Sequence, residues 1–405
     1  MRVLDLTDER GYLCGRMLGD LGADVIKIEN PAGDSGRRLG PFINNDPHPE
    51  RSLYWLAYNR NKRGITLNIA AADGKVLLHK LVKTADVVIE SFDLGYLDSI
   101  GSGYTDLNGL NPRVILTSIS PFGQKGPYRH FKHTDIVLMA MGGYMYTCGD
   151  PDRAPLRLGF PQADLFGGAH GAVGTMMAYY HQQMTGNGQW VDISSQEALI
   201  QTSGGFGFYY LNGIALPRAG EYRVGLSTSA KQRLIWPCKD GWVTFQIFGG
   251  KFGGKSNRAL VQWMDSEGFA DDYGRNLDWD RFDMAQASQE IMDRIEGPIA
   301  AFFMAHNKSE LEAGALSRDI VFYAVADMED LNNSAQLKSR EFWTEIEHPE
   351  LGKSITYPGE WAKFSGYHTH FRRAPLIGEH NSNVYVDELG LSIDELVMYR
   401  QAGVI

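Results

Sequence analysis

The feature that most limits what this chain can fold into is an alternation, through its first third, of short branched-apolar runs with segments of helical period. Val3–Leu6 reads as a strand. Tyr12 to Leu21 places Leu13, Met17, Leu18 and Leu21 on one helical face, and Gly22 stands where such a helix ends. Asp24–Glu29 reads as the next strand, Gly74–Thr84 as an amphipathic helix, and Val87–Glu90 and Arg113–Ser118 as two further strands. Strands this apolar, separated by helices, belong in a parallel sheet covered on both faces. The expected class is α/β, with a doubly wound domain.

At 405 residues the chain exceeds the usual size of a single core, so two domains are expected. Pro161 to about Gln183 is helix-like but carries Gly167, Gly168, Gly171 and Gly174. Each glycine costs a helix about 1 kcal/mol against alanine, so several together predict a close backbone neighbour. Strand Trp190–Ser194 follows the turn Thr185–Gly188, and residues 201–225 read as loop. Strand Trp242–Phe248, a helix from Asn257 to about Ser266, and amphipathic segments after Ala285 and Lys308 predict a smaller α+β domain. Strand and loop character returns near 345 and ends in a helix, Ile393–Gln401. The expected division is 1–200 with 345–405 as a discontinuous large domain, 226–325 as the small one, and 201–225 and 326–344 as linkers.

A formal net charge of −10 repels nucleic acid and anionic membranes, so neither is expected as a partner. A polyanionic ligand would need a local basic patch. Cys14, Cys148 and Cys238 stand far apart, which argues against a disulfide framework or a zinc site and suits a reducing cytoplasm. The N-terminus lacks an apolar run of signal length, and Ile136–Tyr146 is about half of what a bilayer span requires. A cytoplasmic location is the expectation.

Gly249–Ser256 matches the phosphate-loop pattern GxxxxGK[ST] between a strand and a helix candidate. A nucleotide hydrolase would need βα units after it, and the alternating region lies before it, so a plain strand-to-helix turn is the better reading. Asn59–Arg63 is the densest basic cluster; Arg37 and Arg38 form another. Each alone reads as a solvated face, whereas together, near strand ends, they suit a ligand with several phosphates. His130 with His133, and His368 with His370, have metal-compatible spacing but no completing ligands, so no metal site is expected. Asp164 precedes the glycine-rich helix, where aspartate is a favoured N-cap and free N–H groups stabilise a carboxylate.

The chain resembles the family III CoA-transferases, a group that includes formyl-CoA:oxalate, carnitine and benzylsuccinate CoA-transferases and 2-methylacyl-CoA racemase. The resemblance rests on Leu21–Glu29, Gly33-Asp34 with Arg37, Asn61-Lys62-Arg63, Ala85–Glu90, Leu110–Arg113, Phe122–Tyr128, Thr185–Gln189 and Arg373–Asn381, in that order. It implies a Rossmann-like large domain built from both chain ends, a smaller middle domain, and an interlocked homodimer. It implies coenzyme A and acyl-CoA as substrates, with no permanently bound cofactor.

Asp164 looks like the family's catalytic aspartate. In that role it attacks an acyl-CoA to give a mixed anhydride, then carries CoA as an aspartyl thioester before passing it to an acceptor acid. Arg37 or Arg38 looks like the phosphate-binding arginine, Lys132 like a lysine reaching the adenosine side, and Leu67 and Phe92 fall where the adenine and pantetheine slots are lined. Two departures stand out. The first loop, Asp8–Tyr12, is one residue shorter than usual, and Ser99 replaces a phosphate-binding arginine. The short loop points to a reshaped acyl pocket near Glu9, Arg10 and Tyr12, with Arg10 available to a second carboxylate; Tyr144 and Tyr146 are further aromatic candidates. A succinyl-CoA-like donor and an aryl-succinate or carnitine-type acceptor follow as expectations. The racemase reading needs two acid/base groups, and Thr134, not His133, aligns with the racemase histidine. A non-catalytic subunit, paired with a paralogous partner, is the remaining alternative.

Overall fold

The apolar runs of the first third assemble, in a computed structural model, into one parallel sheet. The structure describes residues 1–203, 206–215, 217–224 and 230–405. The strands are β1 (Arg2–Leu6), β2 (Asp24–Glu29), β3 (Lys62–Thr66), β4 (Val87–Glu90), β5 (Ile115–Ser120) and β6 (Trp190–Ser194). Their order across the sheet is β3-β2-β1-β4-β5-β6. The helices between them are α1 (Tyr12–Asp20), α2 (Leu53–Asn59), α3 (Ala72–Val82), α4 (Tyr96–Ser99), α5 (Tyr104–Leu110), α6 (Asp135–Met141), α7 (Tyr144–Thr147) and α8 (Ala163–Thr185).

Alternation along each strand divides the core. Val3, Val25, Val87 and Ile115 pack with Cys14 and Leu18 of α1 and Ala172 and Ala178 of α8. Leu4, Ile26, Val88 and Leu116 face the opposite side, with Leu77 and Leu81 of α3. The glycines of α8 meet the expected close neighbour: a Cβ on Gly168 would lie 3.3 Å from the backbone nitrogen of Cys14 in α1. Val3 pairs with both Val25 and Val87, so the sheet's winding reverses at β1 and β4. That reversal opens a crevice at the carboxyl ends of these two strands.

Two sequence expectations shift here. The strand expected at Arg113–Ser118 runs from Ile115 to Ser120, because Asn111 Oδ1 accepts from the Arg113 amide (3.1 Å) and holds it in the preceding turn. Lys62–Thr66, read only as part of a basic cluster, is an edge strand. The C-terminal segment covers it: Tyr385 donates to the Thr66 carbonyl (2.8 Å), and Asn381 Oδ1 accepts from the Thr66 amide (2.9 Å).

Met1–Gly142, Leu158–Thr202 and Gln336–Ile405 form one compact unit; Gly143–Arg157 and Ser203–Ala335 form another. The second unit holds an antiparallel sheet of Ile235–Cys238, Gly241–Phe245 and Phe322–Ala324. It packs on helices Gly250–Ser266 and Gln289–Ala305 through Trp236, Phe245, Trp263, Phe302 and Phe303. Segments expected as loop or linker carry helices instead, at Phe206–Leu211, Met328–Asn333 and Ala335–Ser339. The expected domain start at 226 lies outside the described residues. Among the described residues no helix is long and apolar enough to cross a membrane.

Candidate active site

Three loops surround the crevice, following β1, β4 and β5. Together they line a cavity of about 460 Å³ with Arg10, Phe92, Leu94, Ser120, Arg129, His130, Lys132 and His133. A second cavity, about 280 Å³, lies at the ends of β1, β2 and β3 and is lined by Leu67, Asn68, Ile69, Ser35 and Tyr96. Phe92 lines both. Leu67 is buried in the wall of the second cavity, whereas Lys132 is exposed in the first.

Asp164 occupies the first turn of α8, but it does not cap the helix. Asp135, at the start of α6, does so from outside: its Oδ1 accepts from the amides of Gln162 (2.7 Å) and Ala163 (2.9 Å). Those are two of the donors that every helix start leaves unsatisfied. The expected N-cap role therefore moves to Asp135, which leaves the Asp164 carboxylate free, one-quarter exposed, at the positive end of a 23-residue helix. His133 Nε2 lies 3.7 Å from Asp164 Oδ1. Tyr54 of α2 also feels this charge. Its hydroxyl is held well above its ordinary range by burial first, then by Tyr58 and Asp164. Sequence reasoning met Asp135 only as the acidic residue beside His130 and His133 and missed its capping role; nothing in the sequence marked Tyr54.

The arginines separate cleanly. Arg37 is 1% exposed and stacks 3.8 Å above Trp55. Its guanidinium donates to Glu29 (2.5 and 2.7 Å), Glu50 (2.5 Å) and the Pro375 carbonyl (2.9 Å). Four of its five N–H donors are taken and the group is buried, so Arg37 is not presented to a ligand phosphate, which corrects the expectation for it. Arg38 is exposed on the same 3₁₀ turn. The Asn59–Arg63 cluster is structural as well. Arg60 pairs with Asp20 (2.9 Å), Lys62 with Asp5 (2.7 Å), and Arg63 with Asp24 (2.8 Å). Its expected part in phosphate binding is corrected too.

The first loop differs from expectation in two places. Tyr12 is fully buried; its hydroxyl donates to Asp34 and its ring meets Trp55 edge-on, so it belongs to the core and not to an acyl pocket. Arg10 is already held by Asp8 through both carboxylate oxygens (2.5 and 2.9 Å), with Asp93 at 3.5 Å, so it is not a free partner for a substrate carboxylate. Glu9 accepts from the Ser35 hydroxyl (2.7 Å). Ser99 is exposed and donates to the Tyr96 carbonyl (2.7 Å). Tyr144 and Tyr146 belong to the second unit.

The phosphate-loop pattern dissolves in the structure. Gly249 is an N-cap, residues 250–256 are already helical, and the adjacent sheet is antiparallel. Ser256 accepts from the Val321 amide (3.0 Å), and Lys255 pairs with Asp319 (2.8 Å). Among the described residues no group of three or more His, Cys, Asp or Glu is arranged to hold a metal.

The whole chain has relatives of known kind. The family model described as CoA-transferase family III matches residues 1–381. Subunit BbsE of the succinyl-CoA:(R)-benzylsuccinate CoA-transferase of Thauera aromatica is 32% identical, over 95% of this chain and 93% of that protein. The formyl-CoA:oxalate CoA-transferase of Streptomyces avermitilis is 31% identical, over 100% of this chain and 98% of its own length. A CAIB/BAIF family crystal structure from Brucella suis superposes with a TM-score of 0.79 at 26% identity, covering 96% of this chain and 98% of that one. With its parallel sheet, its crevice at the β1/β4 reversal and an end-to-end family match, the chain belongs to CoA-transferase family III.

Proposed function

We propose that this enzyme moves CoA from an acyl-CoA donor to a carboxylic acid acceptor by way of Asp164. The carrying observation is that carboxylate: relieved of capping by Asp135, partly exposed, and set at a helix start beside the crevice. Asp164 attacks the donor carbonyl, the C–S bond breaks, and CoA leaves as thiolate. The thiolate then attacks the Asp164 carbonyl of the mixed anhydride, forming the aspartyl-CoA thioester and releasing the donor acid. The acceptor carboxylate repeats the two steps in reverse, and the aspartate is regenerated. Each intermediate keeps an activated acyl bond, so no ATP is consumed.

For CoA itself, Arg38 is the phosphate partner, Leu67 lines the adenine slot, and Phe92 carries the pantetheine arm from the 280 Å³ cavity toward the 460 Å³ one. Lys132 stands at the latter. A succinyl-CoA-like donor and an aryl-succinate or carnitine-type acceptor remain the proposed pair; the T. aromatica relative is a transferase of this kind. The His133–Asp164 proximity is the one observation that favours a racemase, since it brings two acid/base groups together. Their 3.7 Å separation argues against it, because a carbon touched by both from opposite faces would need them roughly 7 Å apart.

The proposed assembly is an interlocked homodimer in the cytoplasm, or a heteromer with a related subunit, as the word subunit in the relative's name suggests. Val173, Met176, Met177 and Tyr180 of α8 form an exposed apolar face with Trp361, a surface suited to burial against another chain. All three cysteines are free, as suits a reducing compartment. Intact-mass analysis after brief incubation with succinyl-CoA tests the mechanism. We expect a CoA-sized, hydroxylamine-sensitive adduct on Asp164 that disappears in Asp164→Ala; deuterium uptake at an α-carbon without any adduct would overturn it in favour of the racemase.

A further inference from the structure

The migrating charge of this reaction needs a fixed counter-ion, and the one ionic partner of Asp164 among the described residues is an imidazole. His133 closes the loop after β5, where Phe122, Tyr128 and Phe131 pack on one another at 4.8–6.3 Å between ring centroids and hold the loop's shape. Its side chain is 16% exposed, and Asp164 is its one ionic partner among the described residues.

The charged groups around it are otherwise committed or remote. Arg10, after β1, is held by Asp8. Asp93, after β4, is almost fully exposed. Asp135, at the start of α6, is bonded to the first amides of α8. On its own loop, Arg129 donates to His130 (3.2 Å) and to the Gly126 carbonyl (3.2 Å), while Lys132 is exposed. Tyr54, from α2, stays protonated across the working range because its hydroxyl is held upward. Asp164 thus has a single cationic candidate in contact.

We propose that His133, in its protonated form, is a catalytic residue for CoA transfer: the counter-cation that stays in place while negative charge moves among Asp164, the CoA thiolate and the departing acid. The role rests on the reading of Asp164 as nucleophile. In the first step the Asp164 Oδ–acyl bond forms, the C–S bond breaks, and the electron pair leaves on sulfur; the His133 proton remains on its ring. The second step returns the pair to carbon and releases a carboxylate beside the same cation. A preorganised cation of this sort acts where charge develops, and its value lies in the transition states more than in ground-state binding.

The test uses the full chain with an acyl-CoA donor and acceptor acid that turn over. His133→Gln keeps size and hydrogen bonding without charge; His133→Lys keeps charge. We expect the glutamine variant to lose about 100-fold in kcat with the KM values of both substrates unchanged. The lysine variant, which keeps the charge, should hold its rate. A glutamine variant with unchanged kcat, or one whose only defect is a raised KM for acyl-CoA, would overturn the role while the Asp164 adduct persists. A wild type that forms no adduct on Asp164 would instead remove the nucleophile reading, and this role with it.

Discussion

Inside the first unit, Lys27, Lys62, Arg37 and Arg60 are buried and each is locked to a carboxylate: Asp34, Asp5, Glu29 and Asp20, at 2.5–3.0 Å. At the proposed rim of the crevice, Arg38 and Lys132 are exposed, and His133 has the proposed nucleophile as its one ionic partner among the described residues. The two sets use positive charge in opposite ways. The inner set ties β3 to β1 and to the end of α1, and β2 to the turn that follows it. The outer set, on loops that follow strands, is what a polyanionic substrate can reach. Cationic residues in a sequence therefore say little about ligand binding until strand ends are known.

The sharpest way to break this comparison is Arg37→Ala. It leaves the buried Glu29 carboxylate without its partner, and we expect a loss of about 3–5 kcal/mol in urea unfolding, with adduct formation retained by the folded fraction. Unchanged stability with a raised KM for acyl-CoA would return Arg37 to the phosphate.

Glu90, at the end of β4, lies between the two regions. It is buried beside the crevice, and burial pushes its carboxyl up to about 7, while hydrogen bonds from Ser118 and the Phe92 amide pull it back. Its folded value exceeds the unfolded one, so the protonated form stabilises the fold below the ordinary carboxylate range. That contribution is lost as pH rises to about 7. Glu90→Gln should consequently be more stable than wild type above pH 7 by about 3 kcal/mol, and nearly equal to it near pH 4. Thermal melts across that range check it; a difference that does not change with pH would show that the carboxyl is not held up by burial. The smallest effect belongs to the rim: Arg38→Ala should raise the KM for acyl-CoA about 10-fold, without a stability change. An unaltered KM would leave the rim without its proposed phosphate contact.

Much of the fold was legible because strand and helix periods were uncontested in the first third, and the final helix, Ile393–Gln401, has the expected bounds. β3 was hidden because it opens with Lys62 and Arg63, whose charges are matched by Asp5 and Asp24 from elsewhere in the chain. The helix beginning at Gly250 was hidden by its glycines. They are there for packing: a Cβ on Gly253 would come within 2.2 Å of the Phe248 carbonyl. At the site, motif order pointed to Asp164, but its freedom was not legible, since the cap that releases it comes from Asp135, 29 positions earlier. Likewise Arg37 and Arg38 are neighbours in sequence, and only the packing of Trp55 and Pro375 distinguishes them.

The C-terminal cover over β3 sets an order of events on the ribosome. Arg60 waits for the carbonyls of Pro358 and Gly359, and Arg37 and Trp55 wait for that of Pro375. At ordinary elongation rates, roughly ten to thirty seconds separate the emergence of Thr202 from that of Pro375. During that interval Arg37 and Arg60 lack their carbonyl partners, and the edge strand is uncovered. A tethered chain whose first unit is finished only by its last segment has time for a second chain to thread past before the fold closes.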